Sequence, residues 1–404
     1  MFLASVVLLL ALASSAATQV PSNQKPARTG ARSNSPAVTQ PVAVRPDYVG
    51  DEACRHCHQD KVEAYYKTAH HLTSQIADKN SILGTFGPGT NILKTSNPNL
   101  YFRMDSRADG FFQTAVWGEP PKTWSRTERL DLVTGSGGKG QTYLFWDADS
   151  LFQLPVGYST VFKQWIDSPG YVAGTANFER PIIPRCLECH ATYFEALDPP
   201  NGNRYNPKNF VLGISCETCH GPGREHVAIA RSRTTEHPGA IIDPVKLVPA
   251  RQFDLCAQCH GGRGERRLAP PFSYVAGQPL SNYFDFGSVD PEAEADVHGK
   301  QVQLLKKSRC FQASANMTCS TCHDVHQSQR NLADFSQRCL SCHQIQTCGV
   351  YSRMGTAIAA NCIDCHMPDL ESKVVYIDVK GKKINPRFRT HWIKIYPENP
   401  DPHP

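Results

Sequence analysis

Cys319-Ser-Thr-Cys322-His323-Asp-Val-His326 is the stretch on which the reading of this chain turns. Two cysteines three apart, with a histidine directly behind the second, form the pattern through which a c-type haem is attached. Each thiol adds to one vinyl group of the porphyrin, and the adjacent histidine reaches the iron from the same side. His326 sits on that same side and cannot reach around the ring. As a ligand it would belong to a second haem, which makes the stretch a clamp between two.

The pattern occurs seven times. The other six copies are Cys54-Arg-His-Cys57-His58, Cys186-Leu-Glu-Cys189-His190, Cys216-Glu-Thr-Cys219-His220, Cys256-Ala-Gln-Cys259-His260, Cys339-Leu-Ser-Cys342-His343 and Cys362-Ile-Asp-Cys365-His366. A disulfide framework or a set of zinc sites would also use many cysteines. Neither explains a histidine behind every pair, so seven covalently attached c-type haems are expected. Cys310 and Cys348 are left over, and in an oxidising compartment they read as a structural disulfide more readily than as reactive thiols.

Composition agrees with this. Hydrophobic residues make up 40% of the 404, with a mean hydropathy of −0.40, which is thin for an aliphatic core. Haem macrocycles would supply the missing apolar interior. The formal charge of +5 misleads. Seven haems with ionised propionates bring it to about −2 oxidised and about −9 reduced, so a nucleic-acid partner is not expected.

Phe2 to Ala13 is an apolar run followed by small residues, the form of a signal peptide over residues 1–17 and too short for a membrane span. No later stretch is long enough to cross a bilayer, so an exported, periplasmic or extracellular protein is expected. Residues 18–46 read as a Pro, Ser and Arg-rich linker. Asp51 is placed to cap a helix running through Lys61–Tyr66, in a first haem segment over 47–83. Residues 84–175 carry no haem motif and read as an antiparallel β-rich insertion. Its candidate strands are Leu100–Met104, Phe111–Trp117, Leu130–Val133, Gln141–Trp146 and Leu151–Leu154. Gly135-Ser-Gly-Gly-Lys-Gly140 matches a dinucleotide fingerprint in form. A strand-like run follows it instead of a helix, so it reads as a hairpin loop. Residues 176–395 hold six haem units, and 396–404 are a tail.

Sixteen histidines limit the axial ligands. Seven lie in the motifs. His56, inside an attachment loop, and His403, near the end, are poor candidates. The remaining seven are His70, His71, His226, His237, His298, His326 and His391. If all are used, every iron is bis-histidine and the protein moves electrons. If one is not, one iron is open to a small molecule. Met317, Met354 and Met367 are alternative ligands.

The pattern resembles multihaem cytochromes c of the cytochrome c-554 kind, a group related to pentahaem nitrite reductases and octahaem hydroxylamine oxidoreductases. The resemblance rests on Cys54 to His58 with Tyr65 and His70, on Cys216 to His226, on Cys319 to His326, and on Cys362 to Pro368 with His391. It implies short α-helices and irregular chain wrapped around a stacked haem array. It also implies distal roles for His70, His226, His298, His326 and His391 on haems other than the nearest in sequence. Two departures matter: no Cys-x-x-Cys-Lys occurs, and there are seven motifs where hydroxylamine oxidoreductases have eight. Two functions remain open. One is an electron carrier working with redox-partner proteins, a quinol-side donor or a terminal reductase, and able to form homo-oligomers. The other is an oxidoreductase with one open haem acting on nitrite, hydroxylamine or tetrathionate.

Overall fold

A computed structural model describes residues 45, 47–198, 201–232, 241–262, 265–286, 296–379 and 382–396. The expected signal peptide, nearly all of the linker and the tail, and His237 lie outside the described residues. Short helices and antiparallel sheets make up the chain.

The first helix, α1 (Asp51–Tyr65), carries the first motif and changes direction at His58 (φ −118°, ψ 38°). Asp51 does not cap it. The N-cap is Gly50, and the Asp51 carboxylate instead accepts the Cys216 N–H at 3.0 Å. A long-range bond has taken the group that the sequence assigns to a local one.

Past His70 the chain enters β1 (Ser74–Ile76), then β2 (Ile92–Lys94), β3 (Leu100–Arg107), β4 (Gly110–Glu119) and β5 (Lys122–Arg129). Strands β2 to β5 form a four-stranded meander. The second sheet has seven strands: β1, β6 (Leu132–Thr134), β7 (Gly140–Asp147), β8 (Ser150–Gln153), β9 (Val156–Ser159), β10 (Gln164–Asp167) and β11 (Arg180–Pro181). The sheets therefore draw on residues either side of the 84–175 stretch.

Alternation along β7 shows how the sheet joins two cores. Tyr143 and Phe145 enter a cluster with Phe102, Met104, Val156 and Trp165. Leu144 and Trp146 turn to a second cluster with Phe194, Tyr205, Phe210 and Leu212. That second cluster is covered by the hairpin β12 (Ala191–Ala196) and β13 (Tyr205–Leu212). It also takes in Leu187 of α2 (Pro184–His190), the helix that bears the second motif and runs straight into β12. One motif is thus fixed directly to the β-sheet core.

The other motifs lie on α3 (Cys216–His220), α5 (Pro249–His260), a 3₁₀ turn at Cys319–Thr321, the end of α8 (Leu332–Leu340) and α10 (Cys362–His366). Between them run α4 (Arg224–Ser232), α6 (Gln301–Lys306), α7 (Arg309–Gln312) and α9 (Tyr351–Met354). All hydrophobic clusters among the described residues come from the region 76–286. From 296 onward, buried apolar side chains are few: Val297, Val302, Leu304, Ile358, Ile363 and Tyr396. That part of the chain wraps a cavity instead.

Candidate haem cavity

The cavity has a volume of about 4250 Å³, several times the ~1,000 Å³ upper end for ordinary ligand pockets. All fourteen motif cysteines and all seven motif histidines line it, together with His70, His226, His298, His326 and His391. Lys and Arg outnumber Asp and Glu by more than two to one along the wall.

Four pairs of imidazoles face each other across this space. His58 lies 6.5 Å from His226, centroid to centroid, with the rings 19° from parallel. His220 and His326 are 6.0 Å apart at 30°, and His323 and His391 are 6.1 Å apart at 27°. His70 and His260 are 6.1 Å apart and nearly perpendicular, at 82°. Two imidazoles on opposite sides of one first-row metal, each bonded at about 2.0 Å, place their centroids about 6.3 Å apart. The two histidines of the opening stretch, His323 and His326, face different partners. So do His220 and His226.

Local structure explains why these rings stand where they do. Nδ1 of His220 is 2.8 Å from the Ile242 carbonyl oxygen, and Nδ1 of His366 is 3.0 Å from that of Lys394. An Nδ1–H donating to a carbonyl leaves Nε2 with its lone pair turned outward, the arrangement that metal-bound histidines use. His190 Nδ1 meets Thr73 Oγ1 at 3.0 Å. Burial pushes His70 and His391 down to about 4, so both rings are neutral at pH 7 and able to ligate.

Carboxylates inside the attachment loops tie the motifs together. Glu217, between Cys216 and Cys219, is 2% exposed and accepts N–H groups of Val49, Gly50 and Gly223 at 2.8–2.9 Å. With Asp51 on the Cys216 N–H, it fixes the first motif against the third, and Cys54 and Cys216 come within hydrogen-bonding reach. Glu188, between Cys186 and Cys189, pairs with Arg267 and accepts the Phe272 N–H at 2.8 Å. Arg185 pairs with Glu265 and donates to the Gln258 carbonyl at 2.7 Å. Cys189 approaches that same carbonyl at 3.8 Å, while Cys259 approaches Glu188 O at 3.7 Å, so the second and fourth motifs abut symmetrically. Ser336 Oγ accepts the Cys362 N–H at 3.0 Å and links the sixth motif to the seventh. Sequence reasoning passed over these holders, because an acid at an x position of Cys-x-x-Cys looks like any surface acid.

Other candidates are placed differently. His71 is not among the cavity-lining residues; it stacks on Tyr66 at 4.1 Å, with Nδ1 3.9 Å from Asp51. His298 borders the cavity with its ring 5.2 Å from Phe388. His343, Met317, Met354 and Met367 are on the wall. The expected disulfide is not formed. Cys310 and Cys348 are unbridged, Cys310 lying near Cys322 and Cys339 while Cys348 lies near Cys362. Each settles beside a different motif, because both line the cavity instead of closing a loop.

An apolar macrocycle with an anionic edge requires thiols, facing imidazoles and a cation-rich wall, and the cavity provides all three. A zinc reading lacks its donor set: among the described residues no group of three or more His, Cys, Asp or Glu converges on one point. No described helix is long and apolar enough to cross a membrane.

A family model described as "Cytochrome c554 and c-prime" matches residues 171–221, which contain the second and third motifs. The multiheme cytochrome MtrA of Shewanella baltica (strain OS185) is 25% identical over 191 residues, 41% of this chain and 54% of that protein. The chain thus spans about half the length of this curated relative. A crystal structure of the outer cell wall cytochrome OcwA is matched at 18% identity with a TM-score of 0.49, over 86% of this chain and 80% of the other.

Proposed function

We propose that this multihaem c-type cytochrome carries one haem on each of its seven Cys-x-x-Cys-His units and passes electrons along them. The four facing imidazole pairs support this most directly, since each joins a motif histidine to one from another segment at the spacing of two ligands on one iron. On this reading His226 serves the first unit, His326 the third, His70 the fourth and His391 the fifth. His237 and His298 remain as candidates for the units at His190, His343 and His366, with Met317, Met354 and Met367 on the wall as alternatives. Bound haem iron supplies a one-electron couple, and the chain sets spacing, exposure and potential. Interlocking follows from the pairing: histidines trailing one motif complete the site of another, so neighbouring rings are held close and stacked.

Residues 1–17 act as a signal peptide, and the protein works in the periplasm or outside the cell. Residues 84–175 form an insertion between a first haem segment, 47–83, and a six-haem core, 176–395. Partners are redox proteins, a quinol-side donor on one side and a terminal reductase on the other, and chains can associate into homo-oligomers.

Haem quantification and EPR of the ferric protein test the reading together. Seven haems per chain with low-spin signals alone are expected, and His326→Met should alter one low-spin signal without detaching any haem. A high-spin signal together with binding of nitrite or cyanide would instead favour an open haem and defeat the pure carrier.

A further inference from the structure

Gly135-Ser-Gly-Gly-Lys-Gly140 joins β6 to β7, and electron transfer as described leaves this loop without a task. Gly135, Ser136, Gly138, Lys139 and Gly140 line the cavity. Two cations meet here from distant parts of the chain. Arg330 stands across from the loop, where a Cβ on Gly138 would lie 3.9 Å from both of its terminal nitrogens. Lys139 Nζ is 6.0 Å from the Phe388 ring centroid, and that ring is 5.2 Å from the His298 ring. Among the described residues neither cation meets a carboxylate.

The loop backbone adds donors. Gly135 and Gly137 have φ of 104° and 85°, conformations that favour glycine. A Cβ on Gly137 would run to 2.5 Å from Leu83 Cδ1, and one on Gly135 to 2.8 Å from the Gly140 carbonyl oxygen. Thr160 holds the outer side, its hydroxyl donating to Gly137 O at 2.9 Å and its N–H to Lys139 O at 3.3 Å. No acceptor among the described residues takes the backbone N–H groups of Ser136 to Lys139. Successive unpaired N–H groups in a glycine-rich bend make a concavity suited to an anion. Lys139 on the loop and Arg330 beside it both line the cavity, and together they make this stretch of wall attractive to an anion.

The geometry points to a carboxylate-binding site formed by this loop with Lys139 and Arg330, whose ligand is a propionate of the haem beside His298. The site rests on the seven-haem reading above. It binds the β-rich part of the molecule to the haem array, and two cations at the haem edge favour the reduced state. The glycine-rich loop thus grips an acid group, as its composition suggests, on a porphyrin in place of a dinucleotide.

The test compares wild-type holoprotein with Lys139→Gln, Arg330→Gln and the double variant, by haem count, EPR and spectropotentiometric titration in a phosphate-free buffer. Haem content and low-spin signals should not change. One component of the titration should move to lower potential, with its oxidised-to-reduced ratio about tenfold higher in the double variant, or about 59 mV for one electron. Lys139→Arg should retain the wild-type curve. An unchanged titration in the double variant at full haem content overturns the site. A difference seen only after adding phosphate or nitrate also overturns it, because the ligand is then a free anion. A wild-type count below seven counts against the seven-haem reading, whereas an unmoved potential at seven haems counts against the loop alone.

Discussion

Asp131 and Asp167 are carboxylates that the fold buries at 5% side-chain and 6% residue exposure respectively. Asp131 Oδ2 accepts the Trp146 N–H at 2.8 Å, but among the described residues Oδ1 has no hydrogen bond, the Arg129 Nε standing 3.6 Å away. Burial pushes Asp131 up to about 6, and burial with the adjacent Asp378 carboxylate pushes Asp167 up to about 6. Between roughly pH 4 and 6 the native state therefore keeps protons that the unfolded chain has released. Stability falls as pH rises through that window, and the cost is complete above it. Asp131→Asn keeps the acceptor for Trp146 and removes the charge. It should raise stability by up to about 3 kcal/mol at pH 7 and by almost nothing below pH 4. Denaturant titrations at pH 4 and 7.5 check this, and equal gains at both would refute it. The sequence marks Asp131 merely as a polar residue between two leucines. The motif residues are legible for the opposite reason, since thioether attachment demands a fixed local spacing. Their partners are not: His58 meets His226 only after α1, α3 and α4 have packed.

At the level of elements, strands rich in aromatic and branched residues were readable. Leu100–Met104 lies inside β3, Phe111–Trp117 inside β4 and Gln141–Trp146 inside β7. The strand β5, Lys-Thr-Trp-Ser-Arg-Thr-Glu-Arg, was not, because its first four residues are exposed at a sheet edge and carry no apolar alternation. The end of β13 shows what positions His70. Gly213, at φ 65°, follows this strand, and Ile214 N–H bonds the His70 carbonyl at 3.0 Å. A Cβ on Gly213 would collide with the His71 carbonyl oxygen, a backbone atom that cannot swing aside. Gly213→Ala should cost at least about 2 kcal/mol, combining left-handed strain with the clash. Under the proposed ligation it should also perturb the low-spin signal of the haem assigned to His70 and His260. Chemical denaturation and EPR check both parts, and an unchanged midpoint would show that the segment relaxes freely.

Across the whole molecule, the low hydrophobic content implies that something other than side chains fills part of the interior, and the fold shows where. Aromatic and aliphatic clusters account for the sheets, the β12–β13 hairpin and α2, all within 76–286. Residues 296–396 hold three motifs in short helices and turns, with six buried apolar side chains among the described residues. Isolated helices of four to nine residues do not persist in water on propensity alone. Stability is therefore divided unequally: side chains hold the β-rich part, and under the proposed attachment tethered porphyrin holds the rest. Protein produced without haem attachment should keep a protease-resistant fragment spanning about 74–212 while the chain beyond 296 is cut rapidly. Holoprotein should resist throughout. Limited proteolysis read by mass spectrometry, with hydrogen exchange as a second measure, distinguishes the two states. Equal resistance of the 296–396 region with and without haem would mean that this segment folds through contacts of its own, and that the array is carried by the chain instead of building it.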